Sequence, residues 1–217
     1  IMNIRKFFHH KQNNKTFNNA AVGAYPVELT DLEKNFLIKS ISDSKYYLEF
    51  GSGGSTFLAL TQTDIPFVVS VESDMGWLNH LRKWNCIVDN EKSNRLCFLH
   101  VNIGKTGNWG TPTEMDKKDL FPNYSMAPFA TDKKTKFDAI FIDGRFRVAC
   151  TMQAILNSDK NTKILMHDYT TRPHYHVILQ FLDIVDVIDT MVLFKLKDNI
   201  SKKSVLDMYN KYKYDFA

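Results

Sequence analysis

Four acids stand at the ends of short apolar runs in this chain. Glu49 lies one residue inside the end of Tyr46–Phe50, Glu72 ends the run begun at Phe67, Asp143 follows Phe137–Ile142, and Asp168 follows His167 after Lys163–Met166. An ionised carboxylate is costly to bury without a partner, so these acids are hard to read as core. In an open α/β sheet, ligands sit outside the carboxyl ends of the strands, so four such acids point to one site. Directly after Phe50 comes Gly51-Ser52-Gly53-Gly54-Ser55-Thr56, whose glycines permit a sharp turn and a close ligand approach. A strand, a glycine turn and a helix in succession form the first half of a nucleotide-binding unit. Glu72 lies 20 residues beyond Ser52, where a second strand's carboxylate would meet the hydroxyls of a bound ribose. The other reading of Glu72 is an exposed acid stabilised by a helix N-terminus.

The elements that must carry these residues follow from pattern and length. At 217 residues and 44% hydrophobic, the chain can bury one full core, and a single domain over 21–217 is expected after a flexible N-terminal arm, 1–20. That arm is rich in Asn, Lys and His, and His9 and His10 lack a third ligand nearby. Ile1 before Met2 fits either a cloning scar or excision from a longer polypeptide. The net charge of +4 is spread along the chain, so nucleic acid is not expected as a partner. Cys86, Cys97 and Cys150 form neither a disulfide framework nor a zinc spacing, which fits a reduced, cytoplasmic protein, and no run is long enough to span a bilayer.

Thr30 and Glu33 have capping-box spacing and open a helix to Ile41. Ser73 or Asp74 caps a helix carrying Trp77, Leu81 and Trp84, Leu96–Val101 reads as a strand, and residues 104–136 read as a long irregular loop lying in part over the ligand. Arg145–Leu156 and a stretch through Phe181 read as helices, with His174 and His176 as loop residues. The runs Ile184–Ile188 and Met191–Leu196 are separated only by Asp189 and Thr190, too short for a crossover, so they must be antiparallel neighbours.

At this point a resemblance emerges. L-E-F-G-S-G-G-S resembles the cofactor-binding motif of class I S-adenosylmethionine-dependent methyltransferases, acid-x-Gly-x-Gly-x-Gly, with Ser55 at the third glycine. V-V-S-V-E-S-D resembles their second motif, F-D-A-I-F-I-D-G their fourth, and the closing hairpin their sixth and seventh strands. The resemblance covers residues 30 to 197 and implies a doubly wound, mostly parallel seven-stranded α/β sheet with an antiparallel C-terminal hairpin. By it, Glu49 would meet the methionine ammonium of S-adenosylmethionine through the turn or a water. Gly51, Ser52, Gly53, Ser55 and Thr56 would pass against the cofactor, Glu72 and Ser73 would take the ribose, Asn102 and Ile103 would border the adenine, and Asp143 would face cofactor and acceptor alike.

Asp143 and Asp168, 25 residues apart, also resemble the carboxylates that hold a divalent cation, Mg or Mn, in metal-dependent O-methyltransferases, although here His167 precedes Asp168. Without a metal, His167 or Asp143 becomes the general base; a third reading leaves His167 and Asp168 as strand caps. Arg145 and Arg147 could clamp an anionic group, Arg147 equally suiting a solvated helix face, and Tyr169 is a further acceptor contact. The expected reaction is methyl transfer to a hydroxyl of a sugar, glycan or similar polyhydroxylated acceptor, and glycosyltransferase neighbours would suit an excised domain. An RNA or protein methyltransferase, a NAD-dependent oxidoreductase and an inactive cofactor-binding module stay open as rivals.

Overall fold

The computed structural model describes residues 25–130 and 136–217; the expected N-terminal arm with His9 and His10 lies outside the described residues. Its elements are α1 (Asp31–Ile41), β1 (Tyr46–Phe50), α2 (Gly54–Gln62), β2 (Phe67–Glu72), α3 (Met75–Leu81), α4 (Asn85–Lys92), β3 (Leu96–His100), α5 (Pro122–Ala130), β4 (Ala139–Ile142), α6 (Arg147–Asn157), β5 (Lys163–Met166), β6 (Leu182–Ile188), β7 (Met191–Leu196) and α7 (Lys202–Tyr212). The seven strands form one sheet in the order β3-β2-β1-β4-β5-β7-β6. Strands β1 to β5 are parallel, while β7 runs antiparallel to both β5 and β6. Strand order reverses between β1 and β4, and the crevice above that point is where such sheets bind ligands.

Alternation along β1 divides the core. Leu48 and Phe50 face a layer that includes Phe121, Tyr124 and Phe129 around α5, Val148 and Met152 of α6, and Val205 of α7. Tyr47 faces the opposite layer, with Phe36, Leu37 and Ile41 of α1, Phe57 and Leu60 of α2, and Leu78 and Leu81 of α3. With both faces covered, the central strands read as near-continuous apolar runs.

The cap of α1 is as the spacing predicts: the Thr30 hydroxyl accepts from Glu33 N–H at 3.2 Å, and Glu33 Oε2 accepts from Thr30 N–H at 3.1 Å. The closing pair is also as expected, joined by Asp189 and Thr190 with Asp189 in the left-handed region at φ 49°.

Three elements differ from the sequence reading. The helix after Asp74 is two helices, α3 and α4, because the chain turns at Arg82–Trp84 through the bonds Lys83 N–H to His80 O and Trp84 N–H to Leu81 O. The long irregular stretch contains α5, which starts on Pro122, a residue suited to a first helical position. The stretch ending near Phe181 is a 3₁₀ helix, Pro173–Gln180.

Candidate active site

The glycine turn is built by close backbone packing. Gly51 has φ +93°, and a Cβ there would stand 2.8 Å from Gly144 N, so the turns after β1 and β4 touch main chain to main chain. Gly144 is equally constrained, since its Cβ would meet the Tyr124 hydroxyl at 2.3 Å. Glu72 joins the turns after β1 and β2: its Oε2 accepts from Ser52 N–H at 3.3 Å, and its Oε1 from Ser73 N–H at 2.6 Å and Asp74 N–H at 2.9 Å. Burial raises its carboxyl pKa despite these bonds.

Glu49 does not line the cavity directly. It is fully buried beneath the turn, where its Oε2 accepts from Ser55 Oγ at 2.7 Å and Tyr47 Oη at 3.2 Å, and its Oε1 from the Thr56 hydroxyl. Burial pushes its carboxyl up to about 7, against the lowering effect of the hydroxyl donors. Thr56 is buried with it and accepts from Gly53 N–H at 2.9 Å. Both residues support the cradle from below and are absent from its wall.

Above the cradle opens a cavity of about 530 Å³, walled by Gly51–Ser55, Glu72–Asp74, Trp77, residues 107–110, Tyr124, Asp143–Arg145 and Tyr25–Leu29. A Cβ at Gly53 would project into it, meeting only the Trp77 ring edge at 4.0 Å. Trp77 donates from Nε1 to Ser52 O at 2.7 Å and so fixes one apolar wall beside the glycine turn. Part of the long loop does lie over this space, at Gly107–Gly110. Asn102 and Ile103 do not reach it: Ile103 is buried in the core, and Asn102 accepts from Gly104 N–H at 2.9 Å to shape the next turn. Tyr169 is also core, its ring against His176 and Phe194 and its hydroxyl pushed up to about 12 by burial.

Behind the cavity, the ends of β4 and β5 bring together Asp143, His167 and Asp168, with ligand-type atoms all within 4.8 Å of one another. His167 Nδ1 lies 3.0 Å from Asp143 Oδ1, and its Nε2 lies 3.4 Å from Glu33 Oε2. Glu33, legible only as a cap, therefore also stands behind the histidine, anchored by Thr190 N–H at 3.0 Å and the Thr190 hydroxyl at 2.7 Å. Burial disfavours the His167 imidazolium, but the bond to Asp143 and the charges of Asp143, Asp168 and Glu33 outweigh it and raise the pKa.

Arg147, which also suited a solvated face, is buried at 4% exposure and bridges Asp143 Oδ1 and Asp168 Oδ2, each at 3.1 Å. Arg172 donates to Asp168 Oδ2 at 2.8 Å. Asp143 reaches the cavity wall, and its Oδ2 has no hydrogen-bond partner among the described residues. Arg145 stands next to it. Its Nε donates to Trp109 O at 2.8 Å, and no carboxylate among the described residues pairs with it. Burial and the neighbouring Arg147 and Arg172 charges lower its pKa.

The strand order and the reversed hairpin define the fold class, that of the class I S-adenosylmethionine-dependent methyltransferases, and the glycine cradle with Glu72 and Asp143 lies at the carboxyl ends of its strands. Among solved structures, the chain is similar to a methyltransferase-like protein from Silicibacter pomeroyi at 26% identity and TM-score 0.77, over 89% of this chain and 98% of that one. The fold also matches a putative O-methyltransferase from Klebsiella pneumoniae at 14% identity, over 80% of this chain and 84% of that one, with TM-score 0.53. An O-methyltransferase from Bacillus cereus in complex with SAH matches at 16% identity, over 78% of this chain and 83% of that one, with TM-score 0.52. No protein-family model and no curated protein matches the sequence.

Proposed function

We propose that the chain transfers a methyl group from S-adenosylmethionine to a hydroxyl of a small polyhydroxylated acceptor, such as a sugar unit, that carries an acidic group. The observation that supports this most is Asp143, with one carboxylate oxygen fixed by His167 and Arg147 and the other facing the cavity beside Arg145, which pairs with no carboxylate among the described residues. The cradle fits the cofactor: the bare Gly53 backbone, the Glu72 carboxylate and the Trp77 ring line one continuous wall. When bound, the cofactor supplies an activated methyl on a sulfonium, which leaves alignment and proton removal to the protein.

Glu72 accepts from ribose hydroxyls, and Trp77 covers an apolar ring face. Asp143 Oδ2 takes the hydrogen bond, and then the proton, of the acceptor hydroxyl. His167, favoured in its charged form, stabilises the Asp143 carboxylate more readily than it acts as the base itself. Arg145 pairs with the acceptor's acidic group, because a partly buried guanidinium without a carboxylate leaves an anion to be supplied by the ligand. A cytoplasmic setting suits the three free thiols, Cys86, Cys97 and Cys150.

A divalent cation does not fit the side chains as they stand. The space between the two carboxylates that would bind it already holds the Arg147 guanidinium.

The first test compares S-adenosylhomocysteine with NAD in thermal unfolding. At 100 times its dissociation constant a ligand stabilises by ~2.7 kcal/mol, which is roughly 5 to 10 °C for a domain of this size. A shift with S-adenosylhomocysteine alone is expected, followed by methyl transfer to sugar acids or sugar phosphates in preference to neutral sugars. A shift with NAD alone would sink the proposal.

A further inference from the structure

We infer that Arg147 stands where a divalent cation would otherwise be held, so that methyl transfer here needs no metal and Arg147 is the positioning residue that fixes Asp143. Its bearing on catalysis rests on the methyl-transfer reading above; the charge arrangement itself does not. Arg147 is the first residue of α6, where the helix dipole disfavours a cation. It is nonetheless buried, and its guanidinium is fully engaged. Nε donates to Gly144 O at 3.0 Å, Nη1 to His167 O, and Nη2 to Asp143 O at 3.2 Å, while Nη2 also lies 3.1 Å from Asp143 Oδ1 and from Asp168 Oδ2. Every one of these acceptors belongs to the turns after β4 and β5. The side chain thus ties the two turns together and sets one oxygen of Asp143, leaving the other directed at the cavity.

The surroundings are built for that fixed cation and against a second one. Arg172 adds another guanidinium 2.8 Å from Asp168 Oδ2, and both arginines lie over the buried Tyr175 ring, at 5.7 and 5.9 Å from its centre. His167 turns Nδ1 towards Asp143, where a proton on that nitrogen makes the hydrogen bond; as a metal ligand the same nitrogen would need a free lone pair. Hard cations bind oxygen at about 2.0 to 2.6 Å. An ion at that distance from Asp143 Oδ1 and Asp168 Oδ2 would compete for both oxygens with the positively charged Arg147 Nη2 that already bridges them. Three carboxylates, Asp143, Asp168 and Glu33, already face the guanidinium groups of Arg147 and Arg172 and the His167 ring.

The test is a Mn²⁺ titration followed by electron paramagnetic resonance on the full chain, with S-adenosylhomocysteine binding measured on the same samples. Wild type is expected to bind no Mn²⁺ at micromolar concentration, and its S-adenosylhomocysteine affinity is expected to be unchanged by EDTA. Arg147→Met removes the bridging charge while keeping much of the length, and is expected to gain Mn²⁺ affinity by at least about tenfold. Stoichiometric Mn²⁺ binding by wild type that Asp143→Asn abolishes would overturn the inference. So would a folded Arg147→Met protein that binds Mn²⁺ no better than wild type. If that variant does not fold, the wild-type titration still decides. Failure of S-adenosylhomocysteine to bind at all would strike the methyl-transfer reading and leave the charge arrangement standing.

Discussion

Asp143 has two oxygens in different surroundings, and that asymmetry makes it the residue on which the proposed chemistry turns. Oδ1 is held by His167 and Arg147, whereas Oδ2 has no hydrogen-bond partner among the described residues and, in the proposed reaction, faces the acceptor. Asp143→Asn keeps the shape but loses the basicity, so the turnover number should fall by roughly 10² to 10⁴-fold, the usual contribution of a general base. S-adenosylhomocysteine binding should change by no more than about threefold if the role is proton transfer. Calorimetry beside single-turnover methylation separates these quantities, and wild-type turnover in the variant would remove Asp143 from the mechanism. At this scale the sequence was only partly legible. Asp143 was visible because an acid after an apolar strand has no other comfortable explanation. Arg147 was not distinguishable from a surface arginine, because Asp168 comes from a separate strand end and Asp143, four residues earlier, lies in the turn before the helix and not on it. Glu49 was legible only in part: an acid inside a strand pointed to the glycine turn, but not to the hydroxyls of Tyr47, Ser55 and Thr56 that provide for it within the fold.

Elements were more legible than residues, and α1 shows why. Its capping box is a local pattern, readable from Thr30 and Glu33 alone, and it formed as read. What locality hides is that the same two residues reach across the fold, since the Thr30 hydroxyl donates to Asp189 Oδ2 at 2.5 Å and Glu33 receives Thr190 and faces His167. The cap therefore couples helix α1 to the β6–β7 turn. Thr30→Ala should cost about 1 to 2 kcal/mol, or roughly 2 to 8 °C in the unfolding midpoint, with Thr30→Ser recovering most of it. Calorimetric scanning reads the difference, and an unchanged midpoint in Thr30→Ala would show that the cap does not bear on stability. By contrast, α5 was read as loop because Pro122 and Pro128 fall within it; its stability comes from burying Tyr124 and Phe129 against β1 and not from helix propensity. The segment Tyr25–Leu29 likewise joins the cavity wall without any periodic signal of its own.

For the whole molecule, the antiparallel closing pair was readable because one physical constraint, the two-residue link at Asp189–Thr190, forces those strands to be antiparallel neighbours and so selects among α/β sheets; that β7 inserts between β5 and β6 was not. Among the described residues no helix is long and apolar enough to cross a membrane. The same assembly imposes a dependence of stability on pH that the net charge of +4 does not reveal. Glu49 is held near 7 in the fold against an ordinary 4.5. A raised acid favours the native state fully below its unfolded value, and that contribution is lost as pH rises through the folded one. At about 1.4 kcal/mol per pH unit, the loss between pH 4.5 and 7 is of the order of 3 kcal/mol. His167, raised above 6.5, and Glu72, raised above 4.5, act in the same direction. Glu33 is lowered by its bonds to Thr190 and Thr30 and by the His167 charge, against the effect of burial, and so removes stability only in more acid solution. The ligand-free protein should therefore be most stable in acid solution near pH 4.5, and lose roughly 6 to 12 °C in its midpoint by pH 8.5. Glu49→Gln keeps the hydroxyl contacts without a charge to desolvate, so it should unfold later than wild type at pH 8.5 and show less than half the wild-type slope. If the two proteins lose stability in parallel, Glu49 is not the group that sets the dependence, and the charge beneath the glycine turn must be compensated by a contact other than its three hydroxyl donors.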